Sequence, residues 1–332
     1  MNLEIHEQRL TSYPANDVDN PSTYPKSMNL IYCLRNNDSV SCIDIKQHFL
    51  LAGSKNVSSW DLKNGKLVSK DHHRTATILK IRSWNDRVAI HARDNSMKVC
   101  SWPDLKLISE MSVNTCNFCG FERDLDNLYF PADNDSDKIQ ILNSSTAFVR
   151  YFSPPYAAGI LMALFTFSHS GRPHLAAGFE DGSVGVWDIE NGTCKMHKDH
   201  SEPVLSLYVV EDFGVISGGA DGKLNIRYFS QDLTSCDYVE LEEVKGVACL
   251  AYSPSKSVIA AGGWDGNVYI IPFSHLQKYK VVEYHRGRIN DVLFLDDAKK
   301  SVQNEDVEDW ICPKDSLFVA SDDGRISIWA FE

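Results

Sequence analysis

Hydrophobic and polar positions between Leu175 and Gly192 follow an order that recurs along the chain. An apolar run, Leu175 to Ala177, leads through the polar turn Glu180-Asp181-Gly182 to an alternating run, Ser183 to Trp187, closed by Asp188 and a second turn. A buried run, a turn with glycine at positive φ and a half-buried alternating run predict two antiparallel strands. Ser217-Gly218-Gly219-Ala220-Asp221-Gly222, Ala261-Gly262-Gly263-Trp264-Asp265-Gly266 and Val319-Ala320-Ser321-Asp322-Asp323-Gly324 stand at the same place in later segments.

The turn aspartates Asp94, Asp137, Asp181, Asp221 and Asp265 are 43, 44, 40 and 44 residues apart, within the period of about 40 to 45 that marks four-stranded propeller blades. Seven units are expected, the first at Ser39 to Leu67, the third the least regular (Thr115 to Phe121, Leu128 to Phe130, Lys138 to Leu142, Phe148 to Phe152), the seventh at Ile289 to Trp329. The interval from Asp265 to Asp323 is 58 and holds an acidic insertion, 296–315, between the first two strands of unit seven. The third strand of that unit ends at the close of the chain, and a lone apolar run, Asn29 to Leu34, precedes unit one. That run is expected to complete the last blade as its outer strand, so that only short protected edges remain. The expected organisation is an extended arm over 1–28, rich in proline and polar residues, and an all-β seven-bladed β-propeller over 29–332.

A formal net charge of -12 without a dense Lys/Arg run argues against a nucleic-acid or anionic-membrane surface and turns the expectation toward protein partners. The first ten residues lack a signal-peptide core, and no apolar run reaches the length of a membrane span. Nine scattered cysteines fit a reducing compartment, with most acting as small buried hydrophobes. The chain is therefore expected to be soluble and intracellular.

Trp60-Asp61, Trp187-Asp188, the turn aspartates, His200 and His285 together resemble the WD-repeat family. That resemblance implies a buried hydrogen-bonded tetrad of His, Ser or Thr, Asp and Trp in each regular blade. Unit five comes nearest with His200, Ser217 and Asp221, Tyr228 standing for the Trp; Ala177, Ala261 and Val319 take the Ser position elsewhere. Over the C-terminal two thirds, the strings from Asp137 to Leu142, Ala177 to Val184, His200 to Val204, Ala261 to Asp265 and Asp323 to Trp329 resemble the G-protein beta-subunit-like protein one group, called ASTRA-associated protein one in fungi. The narrower resemblance implies a non-enzymatic partner of the TTT co-chaperone and of the chromatin-linked ASTRA assembly, acting in maturation of phosphatidylinositol-kinase-related kinases. A monomeric propeller within a hetero-complex, in nucleus and cytoplasm, would follow. A substrate receptor of a cullin-type ubiquitin ligase is the alternative, but neither Trp-Asp pair continues to the Arg it would need.

No catalytic, cofactor or metal site is expected. Cys116-x-x-Cys119 has no second pair at metal spacing, and Asp133-x-Asp135-x-Asp137 lacks the glycine and the bidentate Glu of a calcium loop. His72, His73, His197 and His200 have no partner at ligand spacing, and no nucleophile elbow or phosphate loop is present. Partner-binding candidates are the aromatic hairpin tips Phe179 and Trp264 with Glu180, the loop residues His285 and Arg286, and Trp310 beside the acidic run Asn304 to Asp309.

Overall fold

The computed structural model of the chain describes residues 28–70, 76–113, 118–124, 127–132, 137–143, 146–242, 244–273, 275–276, 278–298 and 310–331. Among these, the strands form seven four-stranded antiparallel sheets, the blades of a seven-bladed β-propeller. Six sheets use four strands in chain order. Blade one runs from strand Cys42–Lys46 to strand Lys66–Lys70, blade two from Ile78–Trp84 to Leu107–Ser112, and blade three from Glu122–Arg123 to Val149–Phe152. Blade four runs from Leu161–His169 to Cys194–Lys198, blade five from Val204–Val210 to Cys236–Glu240, and blade six from Val247–Ser253 to Lys280–Glu283.

Blade seven differs in the expected way. Its strands Ile289–Phe294, Leu317–Ser321 and Arg325–Phe331 are completed by Met28–Arg35, which pairs antiparallel with the last of them from Met28 opposite Phe331 to Arg35 opposite Arg325. Blade three departs from expectation. Its inner strand is only Glu122–Arg123, because Phe121, although fully buried, lies before the ladder; Cys116 and the segment around it fall outside the described residues. Residues 1–27 and 299–309, which hold most of the arm and the acidic run of the insertion, also fall outside them. No helix of the described residues is long and apolar enough to cross a membrane.

By contacts the chain divides into two compact units. One takes in the chain up to Ala89, Val99–Ile108 and everything from Cys249 onward. Within it, Leu34, Phe318, Ile326 and Ile328 of blade seven pack against Ile43, Ile45, Leu50 and Trp60 of blade one, and Val258, Ala260 and Ile270 of blade six against Val292, Leu317 and Trp329 of blade seven. The other unit takes in Ile90–Lys98 and Ser109–Ala248. There Tyr129, Ile139 and Ile141 of blade three meet Leu164, Leu175 and Trp187 of blade four, and Ala176, Val184 and Val186 meet Val204, Leu207 and Val215 of blade five.

A repeated glycine explains how closely the blades approach. A Cβ at Gly178 would lie 2.4 Å from Val204 Cγ1, at Gly218 2.7 Å from Val247 Cγ1, and at Gly262 2.6 Å from Ile289 Cγ2. Each stands three residues before a turn aspartate, so in blades four to six one small residue lets the next blade's first strand seat against it.

Candidate partner-binding surface

The turn aspartates are anchors, and their geometry repeats. Asp181 Oδ1 accepts the Ser183 N–H at 2.8 Å, Asp221 Oδ1 that of Lys223 at 3.2 Å, Asp265 Oδ1 that of Asn267 at 3.2 Å and Asp323 Oδ1 that of Arg325 at 3.0 Å. Each is an Asx-type turn, and the glycine that follows the aspartate takes positive φ, from +76° at Gly222 to +91° at Gly182. The Trp-Asp aspartates do the same at the other end of strand c. Asp61 Oδ1 accepts Lys63 N at 2.8 Å and Asp188 Oδ1 accepts Glu190 N and Asn191 N, both at 3.0 Å. Trp60 and Trp187 are buried in the cores of their blades. All four residues of the two pairs are structural in placement.

In blade five the expected brace is present: His200 Nδ1 lies 3.0 Å from Asp221 Oδ1 and Nε2 lies 2.9 Å from Ser217 Oγ. Tyr228 is not its fourth member. Strand side chains alternate in facing; Asn225, directly opposite Ser217, shares the brace's face and donates to the imidazole, whereas Tyr228 faces the other way and donates its hydroxyl to Asp237. The position opposite Val215, which is held by Trp187 in blade four and Trp329 in blade seven, belongs here to Arg227. Its guanidinium forms a two-nitrogen pair with the buried Asp199, Nε lying 2.7 Å from Oδ1.

Blade seven has a brace that the expectation of a lost serine missed. Trp329 Nε1 donates to Ser327 Oγ at 2.8 Å, Ser327 Oγ lies 2.8 Å from His285 Nε2, and His285 Nδ1 lies 3.1 Å from Asp323 Oδ2. Ser327 sits on strand c directly opposite Val319, so the hydroxyl missing from strand b is supplied across the ladder. The indole N–H, the serine hydroxyl, the imidazole and the carboxylate thus form one continuous hydrogen-bonded chain. Burial acts to raise the Asp323 carboxyl, but the hydrogen bond and charge of His285 together with the Arg286 and Arg325 N–H groups outweigh it and hold the pKa at about 2. His285, 8% exposed, is thus spent on the brace and is not available to a partner, contrary to its expected role.

The aromatic candidates separate sharply. Phe179 is fully buried, its ring 6.2 Å from that of Trp187. It stands two residues before the turn aspartate, where Gly219, Gly263 and Ser321 also face inward, so it fills its own blade rather than the rim. Trp310 is 7% exposed, packed with Trp60, Leu62, Leu295 and Phe318, while Ile311 N donates to Leu62 O at 2.8 Å. The end of the insertion is thereby fastened onto blade one instead of presenting an anchor to solvent. Trp264, one residue before its turn aspartate, is 40% exposed. Its hairpin meets the loop after blade six, since a Cβ at Gly266 would lie 2.8 Å from His285 O and 3.0 Å from Gly287 O. Arg286 on that loop is exposed, and Glu180 is exposed with Oε2 accepting Ile160 N at 3.1 Å.

Several exposed aromatics escaped the sequence reading, the most exposed being Phe118, 64% exposed, with the Arg93 guanidinium 4.3 Å above its ring. Arg93 precedes a turn aspartate as Trp264 does, which is the signal that would have found it. The inner strands carry Asp44 and Asp291, whose carboxyls are raised by burial and whose oxygens accept the backbone N–H of Ser83 at 2.7 Å and Ile43 at 2.9 Å in the adjoining blade. These carboxylates hold strands together. No group of His, Cys, Asp and Glu among the described residues could hold a metal ion.

These features define a seven-bladed β-propeller. A WD domain, G-beta repeat, matches residues 241–271, which span the first three strands of blade six up to Ile271. The chain is similar to mouse guanine nucleotide-binding protein subunit beta-like protein 1, 24% identical over 302 residues that span 85% of this chain and 87% of that protein. It is also similar to ASTRA-associated protein 1 of Verticillium alfalfae, 25% identical over 73% of this chain and 72% of that one, and of Schizosaccharomyces pombe, 25% identical over 73% and 67%. Among solved structures, the computationally designed Ika8 protein superposes with a TM-score of 0.64 at 16% identity, over 90% of this chain and 98% of that one, a likeness of fold.

Proposed function

We propose that this chain is a non-catalytic scaffold that binds the TTT co-chaperone and ASTRA components and so serves the maturation of phosphatidylinositol-kinase-related kinases and chromatin-linked regulation. The observation that carries the reading is similarity along most of the chain to proteins named ASTRA-associated protein 1. The polar groups give further support: the conspicuous histidines, serines and aspartates of blades five and seven are consumed in braces and turns, which leaves side chains suited to docking rather than to bond-making. On this reading the protein works in nucleus and cytoplasm, and Trp264 with Arg286 forms part of its docking surface.

Affinity purification of the tagged protein from its own cells, followed by mass spectrometry, tests the reading. TTT subunits are expected with the wild type and are expected to fall severalfold with Trp264→Ala at an unchanged melting temperature. Cullin adaptors recovered without TTT subunits would overturn it.

A further inference from the structure

Three arginines converge where the chain's first described strand meets its last. Arg35 and Arg325 stand directly opposite each other on the antiparallel pair that completes blade seven. Like charges in that position are destabilising. Arg286 joins them from the preceding loop: its backbone N–H and that of Arg325 bind the two oxygens of one carboxylate, Asp323, at 3.1 and 3.0 Å. None of the three forms an ion pair among the described residues. Two carboxylates of the adjoining turn are engaged elsewhere. Asp323 serves His285 and the two N–H groups, and Asp322 takes Ser39, Asn290 and Arg288.

The arrangement is also held in place. The Arg325 guanidinium carbon lies 5.8 Å from the centre of the Tyr284 ring, and Tyr284 packs edge-on against Trp329, so this arginine is fixed by stacking. Arg35 and Arg286 are exposed, and the half-open face of Trp264 lies on the hairpin that touches the Arg286 loop.

We propose that Arg35, Arg286 and Arg325, with Trp264 at their flank, form a docking surface for an acidic, extended segment of a partner protein that carries an apolar residue beside its carboxylates. Charge complementarity selects the occupant. The cations lie on a loop and two neighbouring strands, which stand about 4.8 Å apart, and same-face side chains of an extended peptide recur about every 7 Å. Arginines on two adjacent strands and a neighbouring loop suit successive carboxylates, each able to accept two N–H bonds. A long polyanion such as nucleic acid would meet the field of a chain with net charge -12. The inference rests on the reading of the chain as a protein-binding scaffold, and not on which proteins it binds.

The test uses the full chain and a fluorescent synthetic peptide of alternating Glu and Asp with a central Leu, beside its Gln/Asn counterpart, followed by anisotropy at two salt concentrations. Binding of the acidic peptide alone, weakened at least tenfold in Arg35→Gln/Arg286→Gln with an unchanged melting temperature and weakened by salt in the wild type, is expected. Equal binding of both peptides, unchanged binding by the variant, displacement by submillimolar inorganic phosphate, or tighter binding of an oligonucleotide of the same charge would overturn the proposal. A photo-crosslinking version of the acidic peptide keeps the test decisive even if the variant misfolds: capture at 28–35, 264, 284–288 or 325 supports the surface, and capture elsewhere rejects it. Acidic-peptide binding by a protein that recovers no TTT subunits from cells would leave this surface standing and remove the functional reading, and the reverse pattern would do the opposite.

Discussion

Counted from the turn aspartate, the fourth and sixth residues of strand c decide whether a blade has a buried polar brace. In blade seven they are Ser327 and Trp329, in blade five Asn225 and Arg227, and in blade six Tyr269, whose hydroxyl donates directly to Asp265 at 2.6 Å, and Ile271. The His-Ser-Asp part of blade five was legible because all three residues sit at spacings that one strand pair fixes. The hydroxyl of blade seven was not, since Ser327 serves its histidine from the opposite strand and only cross-strand register reveals that. Tyr228 was misplaced by a single residue, which on a strand means the opposite face. The Asp323 carboxyl, held at about 2 against an ordinary value of 3.8, stabilises the fold fully above pH 3.8 and ceases to do so as pH falls toward 2. Asp323→Asn should therefore cost about 1–3 kcal/mol at neutral pH, with the gap to wild type closing between pH 4 and 2 in acid-denaturation curves; a gap that stays constant to pH 2 would refute the ionic brace. His91 presents the opposite case. It occupies the position that is glycine in blades four to six, fully buried with neither ring nitrogen hydrogen-bonded, and burial, against the pull of Asp94, lowers its pKa from 6.5 to about 4. Protonation then favours the unfolded chain, so this residue erodes stability as pH falls from 6.5 toward 4. His91→Leu, similar in volume and without polar atoms, should raise stability by about 1 kcal/mol and flatten urea midpoints across that pH range.

At the scale of strands and turns, most of the fold could be read from spacing, because a turn that needs aspartate and then glycine leaves few alternatives for the residues around it. The two Trp-Asp turns share a further signal, Asp-x-x-Asn-Gly, in which Asn64 and Asn191 donate to their own aspartates at 2.6 and 2.7 Å and Leu62 and Ile189 turn inward. Blade three was harder to read since its inner strand has two residues and gives period-2 alternation no length over which to appear. The end of the insertion was harder still. A tryptophan after an acidic run reads as an exposed anchor, whereas the short helix Leu295–Ala298 starts the excursion from the core and Trp310 returns to it. Which side of such a segment is covered depends on contacts far apart in sequence, here Trp60 and Leu62. Trp310→Ala should accordingly cost about 3–5 kcal/mol, seen as a lower denaturation midpoint, and an unchanged midpoint would show that the indole is not part of the core in solution.

For the molecule as a whole, the decisive pairing joins the two ends of the described chain. In a repeat array each unit is stabilised mainly by its neighbours, so an array with an unpaired outer strand loses both a ladder and the core beneath it. Met28–Arg35 supplies that ladder against Arg325–Phe331, and it also contributes core: Leu34 packs in the cluster with Ile326, Ile328 and Trp60, and Met28 in the cluster with Trp329 and Phe331. Burying each of these two side chains is worth about 1.5–3 kcal/mol, before the loss of the strand's hydrogen bonds is counted. A folded domain is stable by only about 5–15 kcal/mol in total, so the strand's removal consumes a large part of the margin. It also exposes Arg325–Phe331 as a hydrophobic edge open to other chains. Deleting residues 1–38 should therefore give protein that is insoluble or lacks a cooperative thermal transition. Supplying Met28–Arg35 in trans, as a peptide added during refolding, should restore part of the soluble yield. A Leu34→Asp peptide should not, because it would place an unpaired charge in the core shared by blades seven and one. A truncated chain that melts as sharply and as high as the full one would mean that closure by this strand contributes nothing to cooperativity.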